Sequence, residues 1–68
     1  MQMIAVSSSN IASIGYENGI LYVSFNNGAL YSYSGVPEVE YCNLMSAASH
    51  GQYLAAHIKG FYPYQRIG

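Results

Sequence analysis

Charge is what this sequence has least of. Only 7% of the 68 residues are charged, with two side-chain cations, Lys59 and Arg66, against three acidic residues, for a net charge of −1. Ordinary globular domains carry roughly 25% charged residues. So few cations argue against duplex DNA as a partner, because duplex affinity comes from counterions released at many neutralised phosphates. Cysteine is nearly absent as well. The lone Cys42 cannot close an internal disulfide, and no Cys/His cluster has the spacing of a structural zinc site. No apolar run approaches the roughly 18 residues of a membrane span. The start, MQMIAVSSSN, lacks both the basic residues and the apolar length of a secretory signal. A soluble cytoplasmic protein with no membrane association, no cofactor and no metal is expected.

Against these shortages stands an apolar content of 51%. A chain of this length forms a single domain, residues 1–68, and buries only about 60% of its unfolded surface. Burial of the surplus apolar surface between copies, in a homo-oligomer, is therefore expected.

Two Asn-Gly pairs organise the first half, Asn18-Gly19 and Asn27-Gly28. Asn-Gly favours a two-residue hairpin loop, because a type I′ turn needs positive φ at both central residues. With both pairs as loops, residues 11–34 form a three-stranded antiparallel meander after an N-terminal segment, residues 1–10. The register then sets Ile14, Tyr16, Leu21, Val23, Phe25 and Leu30 on one face. Gly15, Tyr22, Ser24, Tyr31 and Tyr33 fall on the other.

Residues 36–59 change to helical spacing. Pro37 suits the first helical position, and Glu38 and Glu40 suit the positive end of the helix dipole. Tyr41, Leu44, Met45 and Ala48 make one apolar stripe. Ser49-His50-Gly51-Gln52 has the form of a capping box and starts a second helix that Gly60 ends. Residues 60–68 read as an extended tail, since Pro63 disfavours helix before it. The expected fold is α+β: a three-stranded meander with two C-terminal helices packed on its aliphatic face, leaving the tyrosine face uncovered.

Landmarks along nearly the whole chain resemble the KTSC domain, a family named for the C-terminus of certain lysyl-tRNA synthetases. They are Ser8-Ser9, Ile14-Gly15-Tyr16, Leu21 through Phe25, Tyr31-Ser32-Tyr33, Val36-Pro37, Ala48 through Tyr53, and Ile58-Lys59. The Tyr31-x-Tyr33 pair is the central mark. The resemblance implies a small domain that occurs alone in bacteria and phages or as a synthetase appendage, with RNA binding proposed as its role. Leu54-Ala55 stands where the family commonly has Phe-Asn, and the chain is poorer in basic residues than many members. Both departures weaken the RNA reading here.

No carboxylate pair, phosphate loop or catalytic triad is present, so no enzyme is expected and no catalytic residue is assigned. Cys42 lies beside the apolar stripe, where a free cysteine packs as a small hydrophobe. His50 and His57, seven apart on one helix, stand roughly 10 Å apart, too far to share an ion. The tyrosines are the remaining candidates. They serve either as cross-strand and subunit packing or as a stacking platform for bases. The candidate ligand-binding set is Tyr22, Tyr31, Tyr33, His57, Lys59, Tyr62 and Arg66. A small nucleotide or short single-stranded RNA fits two cations better than a long RNA does. In a phage, such capture would sequester a signalling nucleotide. A protein-interaction or inhibitor module is the alternative reading, and an RNA-binding accessory domain a further one.

Overall fold

The computed structural model describes residues 1–68. Asn18 and Gly19 both take positive φ, 55° and 77°, and close the two-residue loop between β2 (Ile11–Glu17) and β3 (Ile20–Phe25). Tyr16 pairs with Leu21, Gly15 with Tyr22 and Ile14 with Val23, as the sequence predicts.

The second hairpin departs from its predicted register. Gly28 has φ 94°, but Asn18 is the one non-glycine residue at positive φ, so Asn27-Gly28 do not form a two-residue type I′ turn. The Phe25 N–H donates to Ala29 O at 2.8 Å and the Gly28 N–H to Phe25 O at 3.0 Å. Asn26, Asn27 and Gly28 thus form a three-residue loop with a left-handed glycine at its end, the next commonest hairpin connection. The Asn27 side chain supports it by accepting from the Ala29 N–H at 3.0 Å. In β4 (Leu30–Tyr33), Val23 therefore faces Tyr31 and Leu21 faces Tyr33. A slip of one residue exchanges the faces of a strand. Tyr31 and Tyr33 join the aliphatic face, and Leu30 moves to the face of Tyr22. The expected tyrosine face of Tyr22, Tyr31 and Tyr33 does not exist.

The sheet has five strands, not three. Within the N-terminal segment, β1 (Ile4–Ala5) pairs with β2; within the tail, β5 (Tyr64–Arg66) pairs with β4. All neighbours are antiparallel, in the order β1-β2-β3-β4-β5. Periodicity hides both edge strands because neither exceeds three residues. The register of β2 shifts between Ile11 and Ser13, and this bulge lets Ile11 and Ile14 both reach the core.

Two helices cover the aliphatic face. Pro37 is the N-cap of α1 (Glu38–Ser46) rather than its first residue, and only Leu44 of this helix is fully buried. Ala48 and Cys42 are exposed, so the cysteine is not a core residue. Ser49 caps α2 (His50–Tyr53) by accepting from the Gln52 N–H at 3.3 Å. The helix passes directly into a π-helical turn, Leu54–Ile58, whose ends are both buried. The core joins Ile11, Ile14, Leu21, Val23, Tyr33, Val36, Leu44, Leu54 and Ile58. No helix is long and apolar enough to cross a membrane.

Because Gly28 carries the left-handed conformation, Gly28→Ala is expected to cost about 1–2 kcal/mol. Urea unfolding checks this, as a lowered midpoint with an unchanged slope.

Candidate functional site

Beside the helices, a cleft of about 510 Å³ opens on the same sheet face. Its walls are Phe25, Tyr31, Tyr33, Tyr64, Lys59 and Arg66, with Asn27, Ala29 and Gly60 at the margins. The strand ladder accounts for four of them. Tyr31 pairs with Arg66 and Tyr33 with Tyr64, and residues directly opposite in an antiparallel pair share a face. The π-helical turn supplies a fifth. Its last bond, from the Lys59 N–H to Leu54 O at 2.8 Å, spans five residues. Gly60 then turns the chain at φ 82°. Lys59 Nζ lies 5.5 Å from the centroid of the Phe25 ring, a cation–π distance.

The aromatic rings meet at angles rather than in stacks. Phe25 and Tyr31 are perpendicular at 5.7 Å, while Tyr64 is tilted against Tyr31 at 5.9 Å and against Tyr33 at 6.1 Å. Tyr64 is 65% exposed, so its ring is open to a ligand. Tyr33 is the opposite case, only 2% exposed. Its hydroxyl makes no hydrogen bond within the protein, and no buried side-chain polar atom lacks a partner. The Tyr33 hydroxyl therefore meets solvent in the cleft. Burial, reinforced by neighbouring Tyr31 and Tyr64, raises its pKa above 10.0.

The electrostatics are one-sided. Both side-chain cations of the protein line the cleft, and no carboxylate does. Neither cation is paired with an Asp or Glu side chain; the N-terminal ammonium pairs with Glu17 at 3.3 Å. Arg66 spends one donor, Nε, on Gly68 O at 3.0 Å. Glu40 is held elsewhere, accepting from the Tyr53 hydroxyl and from the Tyr62 hydroxyl at 3.1 Å.

Of the predicted set, Tyr31, Tyr33, Lys59 and Arg66 come together in this cleft. Tyr22 does not, because it lies on the other sheet face opposite Gly15 and Ser32. His57 is exposed and stacks on Tyr53 at 4.4 Å, and Tyr62 is committed to Glu40. Phe25, Tyr64 and Asn27 are lining residues that the sequence reading missed. The alternation of Tyr64 and Arg66 within the tail was the available signal for Tyr64. No group of three or more His, Cys, Asp or Glu side chains is placed to hold a metal ion. Flat aromatic faces beside two positive charges suit a planar anion.

Fold and cleft together define a small α+β domain with a cationic aromatic pocket at one end of its sheet. The KTSC domain model matches residues 7–62. The chain belongs to the KTSC domain family. The crystal structure of a KTSC domain protein from Yersinia pestis matches it with a TM-score of 0.92 and 44% identity, over 98% of this chain and 97% of that one. An uncharacterized protein of Stutzerimonas stutzeri (strain A1501) is 40% identical over 70 residues, covering 98% of this chain and 99% of its own.

Three phenols are raised above 10.0: Tyr33 chiefly by burial, Tyr53 chiefly by its hydrogen bond to Glu40, and Tyr62 by desolvation and then Glu40. A raised folded pKa contributes stability that is complete below the unfolded value of about 10 and is lost as pH rises through the folded values. Absorbance titration of tyrosinate should show a late-ionising group of phenols. In Tyr33→Phe that group should shrink by one.

Proposed function

We propose that this KTSC domain is a non-enzymatic binding module that captures a nucleotide-type ligand in the cleft between β4, β5 and the π-helical turn. One observation carries the reading. In a chain with two side-chain cations, both line a single aromatic cleft that no Asp or Glu side chain lines. A base stacked on an aromatic side chain gains roughly 1–3 kcal/mol with little regard to sequence. Lys59 and Arg66 supply the positive charge that attracts the ligand's phosphate. Two cations limit a single strand to a salt slope no steeper than about −1.4, which favours a small nucleotide over a long RNA. The cleft is also of the size that holds small molecules.

The proposal includes a homo-oligomer. Ile4, Phe61 and Ile67 are large exposed apolar residues, and β1 and β5 are uncovered sheet edges. Sedimentation at several concentrations tests this part, and a monomer throughout the range would refute it.

Native mass spectrometry with a nucleotide panel tests the ligand. Tyr64→Ala should weaken binding about 5- to 150-fold, the loss of one stacking contact. The ring is exposed but packs on Tyr31 and Tyr33, so stability should fall by only about 0.5–1.5 kcal/mol. Lys59→Gln and Arg66→Gln should each weaken binding and flatten its salt dependence. Tyr33→Ala is a poor probe, since emptying a core site of an aromatic ring costs about 3–5 kcal/mol. Retention of nucleotide by Tyr64→Ala and Lys59→Gln at wild-type affinity would sink the reading. Recovery of one dominant protein in a pull-down, insensitive to free nucleotide, would favour protein docking instead.

A further inference from the structure

A second hollow of about 360 Å³ adjoins the aromatic cleft, lined by Ser9, Asn10, Phe25, Asn26, Asn27 and Lys59. Phe25, Asn27 and Lys59 line both, so these three residues form the junction. The two sides differ in chemistry. Tyrosines floor the first; serine and asparagine side chains line the second. A nucleotide has parts of the same kinds, a flat base, a hydroxylated sugar and an anion.

At the junction Lys59 is the cation and Phe25 is apolar, which leaves Asn27 as the sole neutral polar side chain. Its amide is already oriented. Oδ1 accepts from the Ala29 N–H at 3.0 Å, which leaves the Nδ2 group without an acceptor in the protein. Asn26 beside it is fixed the other way round. Its Nδ2 donates to Ser8 O at 3.3 Å and to Ser9 O at 3.1 Å, leaving Oδ1 free to accept. Asn26 and Asn27 both line the second hollow, which thus offers a donor and an acceptor, as a sugar hydroxyl that both donates and accepts requires. A phosphate has no need of the acceptor. The 2′-hydroxyl is also the group by which a protein separates ribose from deoxyribose.

We propose that Asn27, supported by Asn26, reads the ribose 2′-hydroxyl and makes the cleft selective for ribonucleotides. The inference rests on the nucleotide-binding reading above. Base on the tyrosines, ribose at Asn27 and phosphate at Lys59, with the Ser9 and Asn10 side chains beside it, places each part of the ligand against groups of its own chemistry. Because both amides are locked by the protein's own hydrogen bonds, they meet the ligand without further ordering.

Calorimetric titration of AMP and 2′-deoxy-AMP into the full chain tests this. Wild type should prefer AMP by about fivefold, the effect of one neutral hydrogen bond. Asn27→Ser keeps an oxygen for the Ala29 N–H but is too short to reach the sugar. It should bring the ratio to about one by weakening AMP and leaving 2′-deoxy-AMP unchanged. Asn27→Ala, with folding checked by thermal unfolding, should give the same ratio. Equal affinities in wild type, or a ratio preserved in both variants, would overturn the ribose assignment while leaving nucleotide capture standing. Binding of neither nucleotide would overturn both.

Discussion

The hydrogen bond from the Ala29 N–H to the Asn27 side chain, with Gly28 beside it at positive φ, sets which way every side chain of β4 points. It secures a three-residue loop in place of a two-residue one. From that single residue follow the burial of Tyr33, the position of Tyr31 beside Phe25, and the register in which β5 adds Tyr64 and Arg66. The cleft is thus a consequence of turn geometry some distance from its centre. The other wall has a similar origin. A five-residue hydrogen-bond step at the end of the second helix, with the left-handed Gly60, delivers Lys59 to the Phe25 ring.

Much of this was legible in the sequence. Asn18-Gly19 gave the first hairpin with its register, Ser49 marked the second helix start, and Gly60 its end. The ordered landmarks around Tyr31-x-Tyr33 pointed to the KTSC family. What was not legible has a common physical cause. Asn-Gly occurs in two-residue and in three-residue hairpin loops, and the dipeptide alone does not say which. Strands as short as Ile4–Ala5 and Tyr64–Arg66 carry too few residues for a period. The bulge near Ala12 breaks alternation, so Ile11 was not placed with Ile14 in the core.

The same error of register misassigned the site. Tyr22 was grouped with Tyr31 and Tyr33 by parity, whereas the ladder sets them on opposite faces. His57 and Tyr62 lie close to Lys59 in the chain but not in the cleft. Their contacts with Tyr53 and Glu40 belong to the packing of helices and tail. Lys59 and Arg66 were chosen because a nearly uncharged chain has no other side-chain cations. Their convergence on one cleft could not be read without the fold.

Tyr33 belongs to the core and to the cleft at once, and this limits how the family member can change. A residue that helps hold the domain together is poorly free to vary in response to a new ligand. Tyr64 and Arg66 on the edge strand carry no comparable burden. If the cleft takes the ligand proposed, divergence in preference among related chains has an open route through its rim and a closed one through its floor.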